Sequence, residues 1–322
     1  MRLSFVPGRR IAARSSIAWT TIAASSAILE QLAVEQRHVL SSWRALLLLR
    51  RATFAIAPHE RRWNRLPLHI EDISPLLRQM RARKELRAIS GYPSLNEVFV
   101  AYARQGFLDE RELLFEMHPY AVLSHVSALV FHGLTTDQPK GMTITVSADS
   151  TGGLLPIGTT PRDWEGVMRP SPTIPKKVLG RPVLSKRVKP AWFFGHEEYQ
   201  PLGFTMRYTT PERSLIDGLM NPELCGGITT VLRAWAGGSS MVDLDVLVHQ
   251  VERLGVKVLR QRVGYVLNEL DVTHPTLEEW RVNAKRGGSS RLVGSEPFSS
   301  TYDDRWNLSI NAPVGDLHNT TL

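Results

Sequence analysis

The stretch that most constrains the fold is residues 118–147, HPYAVLSHVSALVFHGLTTDQPKGMTITVS, which predicts a buried helix followed by a strand. Apolar residues recur at helical spacing from Pro119 to Phe131, and few strongly polar residues interrupt them. Pro119 suits the first helical position and Gly133 the position after the helix. Residues 142–147 then alternate apolar and hydroxyl side chains, which predicts a strand with one face in a core and the other towards solvent or another layer.

The chain has 322 residues, 43% of them hydrophobic, enough for two or three modest globular domains. One cysteine, Cys225, excludes an intramolecular disulfide framework and a cysteine-based zinc cluster, and is best interpreted as a small packed residue. The apolar run after the N-terminal arginines is interrupted by hydroxyl, Glu and Gln side chains, so it is too polar for a membrane span. We expect a cytoplasmic protein.

The net charge of +8 is unevenly distributed. Residues 1–90 contain 16 Lys and Arg against 6 Asp and Glu, whereas residues 91–322 contain 23 against 25. A basic surplus in one small region is typical of proteins that bind polyanions, because each neutralised phosphate releases counterions. The alternative is a generally arginine-rich surface without a ligand.

Residues 27–105 have the outline of a winged helix-turn-helix. The pattern over Ala27–Leu49 is helical, residues 51–68 form a basic loop, and a basic amphipathic helix follows. We expect this helix to start at Ser74-Pro75, or with Asp72 as its cap. Residues 86–89 and 98–102 are predicted to form the two strands of a wing, with the turn at 91–94.

In that arrangement the basic helix enters the major groove and the wing contacts the DNA backbone. Helical position and charge select the candidate DNA-binding residues, and an ordinary solvated arginine face is the alternative interpretation. The candidates are Arg78, Gln79, Arg81, Arg83, Lys84 and Arg87.

The remaining chain predicts further elements in order. A short helix covers 109–117, and strands cover 181–189 and 203–208. Four helices follow. The first starts either with Thr210 as its cap and Pro211 in its first turn, or with a capping box formed by Thr209 and Glu212. The others cover 228–235, 243–254, which Gly255 ends, and 257–270. A last strand is expected in RWNLSIN.

No catalytic or metal-binding constellation emerges. His118, His125 and His132 recur every seven residues, about 10 Å apart along a helix, too far to share one metal ion. Gly237-Gly238-Ser239-Ser240 before Asp243 and Asp245 is similar to a nucleotidyltransferase signature, but its spacer is too short for that family. Asp243 is better explained as a helix cap. Glu212, Arg213 and Asp217 could form a buried ion pair or a site, and the ion pair is the better explanation because Arg213 and Asp217 meet across one helical turn. We expect no enzymatic activity, cofactor or metal.

Several separated strings resemble the AbiEi-type antitoxins of type IV (abortive infection) toxin-antitoxin systems. They occur in order over residues 110–312 and comprise LSHVSALVFHGLT, AWFFG, TTPERSLIDGL, PELCGG, RQRVGYVLNEL and RGGSSRL with RWNLSIN. The resemblance implies a winged helix-turn-helix and an α/β antitoxin domain in a DNA-binding repressor of its own promoter, acting at inverted repeats. It also implies a nucleotidyltransferase toxin that is opposed without a stable direct complex.

The predicted fold class is therefore α/β (α+β) and multi-domain, with a winged helix-turn-helix, a mixed α/β antitoxin domain and a helical C-terminal part. The expected divisions are a disordered extension at 1–26, the DNA-binding domain at 27–105, the α/β domain at 109–208, the helical part at 209–312 and a tail at 313–322. Two alternatives stay open: a winged-helix regulator without a toxin partner, and a nucleotidyltransferase acting through Asp243 and Asp245.

Overall fold

The computed structural model describes residues 21–100, 108–284 and 288–318. These residues form a mixed α/β fold in which three sheets are described: a small N-terminal sheet among helices, a central six-stranded sheet and a small C-terminal sheet beside a group of helices. The predicted mixed α/β class is confirmed. Among the described residues, no helix is both long and apolar enough to cross a membrane.

The N-terminal part alternates helices and strands around one apolar core. Its elements are α1 (Ala24–Val34), β1 (Val39–Ser41), α2 (Ser42–Ala55), α3 (Ile70–Ala82), β2 (Leu86–Ile89) and β3 (Tyr92–Val98). The three strands are antiparallel in the order β1-β3-β2. The core includes Ile28, Leu32, Leu40, Leu48, Ile73, Leu77 and Met80.

Three boundaries here differ from the sequence prediction. The helical pattern over 27–49 is two helices separated by β1, because Gln36 adopts φ +50 and ends α1. The predicted disordered extension of 1–26 overlaps α1, which begins at Ala24, and residues 1–20 lie outside the described ones. The second wing strand begins at Tyr92 rather than Val98, with the turn at Ser90-Gly91.

Helix α3 begins one turn earlier than Ser74-Pro75. The carboxylate of Asp72 accepts hydrogen bonds from the backbone N–H groups of Leu68 (2.9 Å) and His69 (3.0 Å), which stabilises a start at Ile70. Neither predicted start is observed: His69 is the N-cap residue, and Asp72 lies at the third helical position, from which its carboxylate reaches back to the backbone before the helix. Pro75 consequently lies inside the helix, where it supplies no backbone donor.

The stretch at 118–147 is mostly a strand-helix-strand unit. Before it lies the predicted short helix, α4 (Glu110–Met117), which Asp109 caps. The unit itself consists of β4 (Val122–Leu123), α5 (Val126–Phe131) and β5 (Met142–Ser147). The predicted helix from Pro119 to Phe131 is wrong in its first half. Leu123 pairs with Ile144 on one side and Tyr208 on the other, so backbone pairing within the sheet overrides the local helical pattern. Gly133 ends α5 at φ +69.

The central sheet contains the remaining strands of this region. They are β6 (Lys177–Val178), β7 (Arg181–Val188), β8 (His196–Tyr199) and β9 (Met206–Thr209). The order is β6-β7-β5-β4-β9-β8, with β5 parallel to β7 and β4 parallel to β9. Every residue of β5 is buried, so its hydroxyl face lies against another layer rather than in solvent.

The C-terminal part is mainly helical. Its elements are α6 (Pro211–Met220), α7 (Ile228–Gly238), α8 (Leu244–Leu254), α9 (Lys257–Glu269), α10 (Pro275–Ala284), β10 (Ser290–Arg291), β11 (Tyr302–Asp303) and β12 (Leu308–Ser309). Of the two starts predicted for α6, the one with Thr210 as the cap is observed. Asp243 caps α8, and Gly255 ends α8 in the left-handed conformation, both as predicted.

The predicted tail at 313–322 is wrong for its described portion. Residues 314–318 form a 3-10 turn that packs on α7, and Leu317 is fully buried there. Asp316 also accepts a hydrogen bond from Arg233 at 3.1 Å. Residues 319–322 lie outside the described part of the chain.

Two buried carboxylates on α4 join the N-terminal part to the central sheet. Glu116 accepts hydrogen bonds from Nε of Arg44 (2.6 Å) and Nη1 of Arg37 (3.2 Å). One turn earlier, the carboxylate of Glu112 accepts hydrogen bonds from the backbone N–H groups of His38 and Val39. Burial raises the pKa of Glu112 to about 7. This junction fixes where β1 and α2, and hence α3, lie relative to the sheet.

Candidate nucleic-acid interface

The outer face of α3 carries two of the predicted DNA-binding residues. The helix buries Ile73, Leu77 and Met80 against the N-terminal core, at the spacing expected of one apolar face. Arg78 and Gln79 lie on the opposite side and are exposed. Both side chains project where a ligand can reach them.

Arg81 is not on the solvent face that the sequence predicted. It is half-buried, and its Nε donates to Oδ1 of Asn96 at 2.6 Å. Asn96 is fully buried in β3 and donates in turn to the carbonyl oxygen of Leu40 at 3.1 Å. Arg81 is therefore a residue that holds α3 against β3. The helical pattern could not show this, because the partner is 15 residues away on another element.

Arg83 and Lys84 form the tight turn between α3 and β2. Lys84 adopts φ +59, and the backbone N–H of Glu85 returns to the carbonyl of Met80 at 3.0 Å, which closes the end of the helix. Both basic side chains are exposed. They extend the charged surface from the last turn of α3 to the base of the β2–β3 hairpin.

Arg87, on β2, is exposed but already engaged. Its Nε and Nη2 both donate to Oε2 of Glu97 on β3, at 2.8 and 2.6 Å, and its guanidinium lies 4.6 Å from the ring centre of Phe99. The pair is an exposed cross-strand contact, whose contribution to stability is small. Arg87 must exchange or share this partner to contact a phosphate.

Much of the basic surplus counted in residues 1–90 is internal. Arg37, Arg44 and Arg50 are buried, and they bind Glu116 or backbone carbonyl oxygens rather than solvent. Arg51 is half-buried, and its Nη2 donates a hydrogen bond to Oδ2 of Asp163 at 2.8 Å. These four charges cannot serve a polyanion, so the net charge overstates the basicity of the described N-terminal surface.

The loop before α3 provides basic residues that the site prediction omitted. Arg62 and Arg65 are exposed. The pKa of the Asp72 carboxyl is lowered mainly by the backbone hydrogen bonds that it accepts at the start of the helix, and the charge of nearby Arg65 contributes to a smaller extent. The cluster Arg61, Arg62 and Arg65 was visible in the sequence, but its position beside the start of α3 was not.

The residues suggestive of a nucleotidyltransferase do not converge on a metal site. The Asp243 carboxylate caps α8 by accepting the N–H of Val246 at 3.1 Å. Asp245 is 91% exposed and contacts His274 at 2.9 Å. Within residues 21–100, 108–284 and 288–318, no group of three or more His, Cys, Asp and Glu side chains could hold a metal ion.

The three regularly spaced histidines lie in different surroundings. His118 is buried at the end of α4, His125 is buried at the start of α5, and His132 contacts the carbonyl oxygen of Thr209 at 2.7 Å. Burial lowers the pKa of all three, to about 4 for His118. Their spacing does not describe one helical face, because β4 interrupts the segment.

The fold and this surface define a mixed α/β protein with an exposed basic helix end and hairpin. No protein-family model matches the chain, and no curated protein matches it. Among solved structures, the crystal structure of the RV2827C protein from Mycobacterium tuberculosis is similar, with a TM-score of 0.51 and 14% sequence identity over 92% of this chain and 94% of that chain. At that identity the similarity concerns the fold alone, and it extends over nearly the whole of both chains.

Proposed function

We propose that this protein binds duplex DNA through a winged helix-turn-helix formed by residues 24–98. The observation that carries the proposal is the element order α1-β1-α2-α3-β2-β3 with sheet order β1-β3-β2. In a winged helix, the third helix is the one that enters the major groove and the final hairpin is the wing. Here that helix exposes Arg78 and Gln79.

The chemistry of the exposed residues supports this assignment. Arginine can bind the O6 and N7 of guanine, and glutamine can bind the N6 and N7 of adenine, each through two hydrogen bonds. Arg83 and Lys84 follow at the end of the helix, where a phosphate contact would position the protein without reading sequence. Arg62 and Arg65 extend the basic surface on the side where α3 begins.

The test measures binding of the full chain to duplex DNA from its own upstream region by fluorescence anisotropy at several salt concentrations. Arg78→Ala is expected to weaken binding about tenfold or more, as for loss of a base contact. Arg83→Ala is expected to weaken binding to all sequences and to reduce the slope of log K against log salt by about one.

The matched control is Arg281→Ala, which removes the same charge from an exposed position on α10. If Arg78→Ala and Arg281→Ala weakened DNA binding equally, only the net charge would matter, and the proposal that α3 contacts the bases would be wrong. Thermal unfolding of each variant verifies that the fold is retained.

We further propose that the chain is the antitoxin and autorepressor of a type IV toxin-antitoxin operon, acting in the cytoplasm on inverted repeats in its own promoter. This part is supported by the resemblance to AbiEi-type antitoxins over residues 110–312. It predicts that a neighbouring gene encodes a nucleotidyltransferase toxin and that co-expression of this chain relieves that toxin's growth arrest. A chain that binds its promoter yet leaves the toxin fully active would instead be a regulator without a toxin partner.

A further inference from the structure

A cavity of about 420 Å³ lies between the edge of the central sheet and α6, far from α3 in the chain. The end of β7 forms one wall, α6 forms another, and the start of α5 lies at the back. Trp192 and Met220 supply apolar surface, and His125, Lys186, Arg213 and Asp217 supply polar groups. A pocket of this size, apolar with a few convergent polar groups, is typical of small-molecule sites.

His125 is held at the back of the cavity in an unusual conformation. Its backbone has φ +52 and ψ −130, a region that glycine adopts easily and histidine rarely. The side chain is 2% exposed, and its Nε2 has no hydrogen-bond partner in the described part of the chain. A buried polar atom that has no protein partner and lies on a cavity wall can be satisfied by a bound molecule or a water that enters the cavity.

A chain of hydroxyl groups favours the tautomer of His125 that bears its proton on Nε2. Thr145 Oγ1 donates to Ser124 Oγ at 2.9 Å, and Ser124 Oγ lies 2.8 Å from Nδ1 of His125. If Ser124 donates to Nδ1, each hydroxyl proton has an acceptor, and the ring proton resides on Nε2. Burial lowers the pKa of His125, which keeps the ring neutral. His125 therefore offers one N–H donor to the cavity.

Cations without acidic partners surround the opening. Lys186 pairs in register with Thr145 across β5 and β7, so both side chains point to the side of the sheet where His125 lies. Lys186, Arg187 and Lys189 line the cavity, and none of the three forms an ion pair within the described residues. The ammonium group of Lys189 lies 4.3 Å from the ring centre of Trp192, which is where the cationic and apolar surfaces meet.

One acceptor faces these donors. Oδ1 of Asp217 accepts a hydrogen bond from Nε of Arg213 at 2.8 Å, whereas its buried Oδ2 has no hydrogen-bond partner in the described part of the chain. Arg213 is further fixed by donating from Nη1 to the carbonyl of Phe194 at 2.9 Å. A bound molecule must therefore present oxygen acceptors to His125 and the cations and one hydroxyl donor to Asp217.

We propose that this cavity binds a small phosphate monoester with an apolar or aromatic body. The phosphate oxygens accept from His125 Nε2 and from Lys186 and Lys189, whose combined charge favours a phosphate over a singly charged carboxylate. A hydroxyl of the ligand donates to Oδ2 of Asp217. The body of the ligand packs on Trp192 and Met220. The site lies outside the DNA-binding surface and does not depend on that assignment.

The experiment is equilibrium dialysis of the full chain against four probes at fixed ionic strength: phenyl phosphate, benzoate, inorganic phosphate and benzyl alcohol. Phenyl phosphate is expected to bind saturably and several-fold tighter than the other three, because only it combines a doubly charged oxyanion with an aromatic body. Absence of saturable binding by phenyl phosphate overturns the proposal. So does equal binding of benzyl alcohol, which would mean an apolar cavity only.

Lys186→Ala and Lys189→Ala are each expected to weaken phenyl phosphate binding about tenfold, as for loss of a charge-assisted contact. Lys257→Ala is the matched control, because Lys257 is exposed at the start of α9 and does not line the cavity. Unchanged affinity in both cavity variants, with the wild-type unfolding temperature retained, also overturns the proposal.

Discussion

Arg81 donates a hydrogen bond from Nε to Oδ1 of Asn96 across 2.6 Å, and this contact joins the last turn of α3 to β3. Asn96 continues the connection by donating to the carbonyl oxygen of Leu40 in β1. The candidate DNA-binding helix is thus attached to the sheet by Arg81, a side chain that would be expected to contact DNA if charge alone were considered. Arg78, three residues earlier, has the same charge and is exposed, so the two arginines have different roles.

Arg81→Ala should lower stability, whereas Arg83→Ala should not. Without Arg81, Oδ1 of the buried Asn96 loses its partner, which costs about 1–3 kcal/mol of unfolding free energy. Arg83 is exposed, and its loss is expected to change the unfolding free energy by less than about 0.5 kcal/mol. Urea unfolding of both variants tests this. An Arg81→Ala protein with wild-type stability and weakened DNA binding would return Arg81 to the DNA-contacting set.

Glu116→Ala should be among the most destabilising single changes in the chain. It leaves the buried guanidinium groups of Arg44 and Arg37 without their shared carboxylate, and breaking a buried ion pair costs about 3–5 kcal/mol. Glu278→Ala removes an exposed carboxylate from Arg281 and is expected to cost less than about 1 kcal/mol. Chemical denaturation compares the two variants. Equal, small effects would mean that α4 does not fasten the N-terminal part.

His118 should make the protein less stable in acid. Burial lowers its pKa to about 4, below the usual 6.5, so between these pH values the unfolded chain binds more protons than the folded one. Its contribution is complete above pH 6.5 and is lost as the pH falls to 4, by about 3 kcal/mol. In His118→Phe the loss of unfolding free energy from pH 7 to pH 4 should be smaller by that amount. The matched control is His59→Phe, which makes the same replacement at an exposed histidine.

Gly264→Ala should disturb the packing of α9 on Trp306. A Cβ atom at position 264 would lie 2.2 Å from two atoms of the buried Trp306 ring, so the helix or the ring must move. We expect a loss of about 1–3 kcal/mol in unfolding free energy, in the range of an overpacked core. Gly315→Ala is the comparison, because its Cβ meets no atom within 4 Å. Indistinguishable melting temperatures for the two variants would contradict the close contact.

Local signals in the sequence predicted the elements whose ends are marked by particular residues. Thr210, Asp243 and Gly255 each satisfy or release backbone groups within a few residues, so α6 and α8 could be located without knowledge of the fold. The Arg213–Asp217 contact was predictable for the same reason, because i and i+4 meet on any helix.

What the sequence could not predict depends on partners distant in the chain. The strand β4 has two residues and is defined by pairing with residues about 20 and 85 positions away, which no local pattern records. The DNA-binding residues were chosen by charge, and charge alone cannot separate Arg78 from Arg81, or an exposed arginine from the buried Arg44. The cavity beside α6 escaped prediction because its donors come from separate elements.

The carboxylate of Glu116 also has a geometric consequence for the proposed DNA recognition. Because it ties β1 and α2 to α4, helix α3 has no hinge at this seam with which to adjust its reach. In the proposed binding of two copies to an inverted repeat, each copy then presents α3 in a fixed position relative to its own central sheet. Inserting about five base pairs, half a helical turn, between the half-sites would then rotate one copy to the opposite side of the duplex and abolish paired binding.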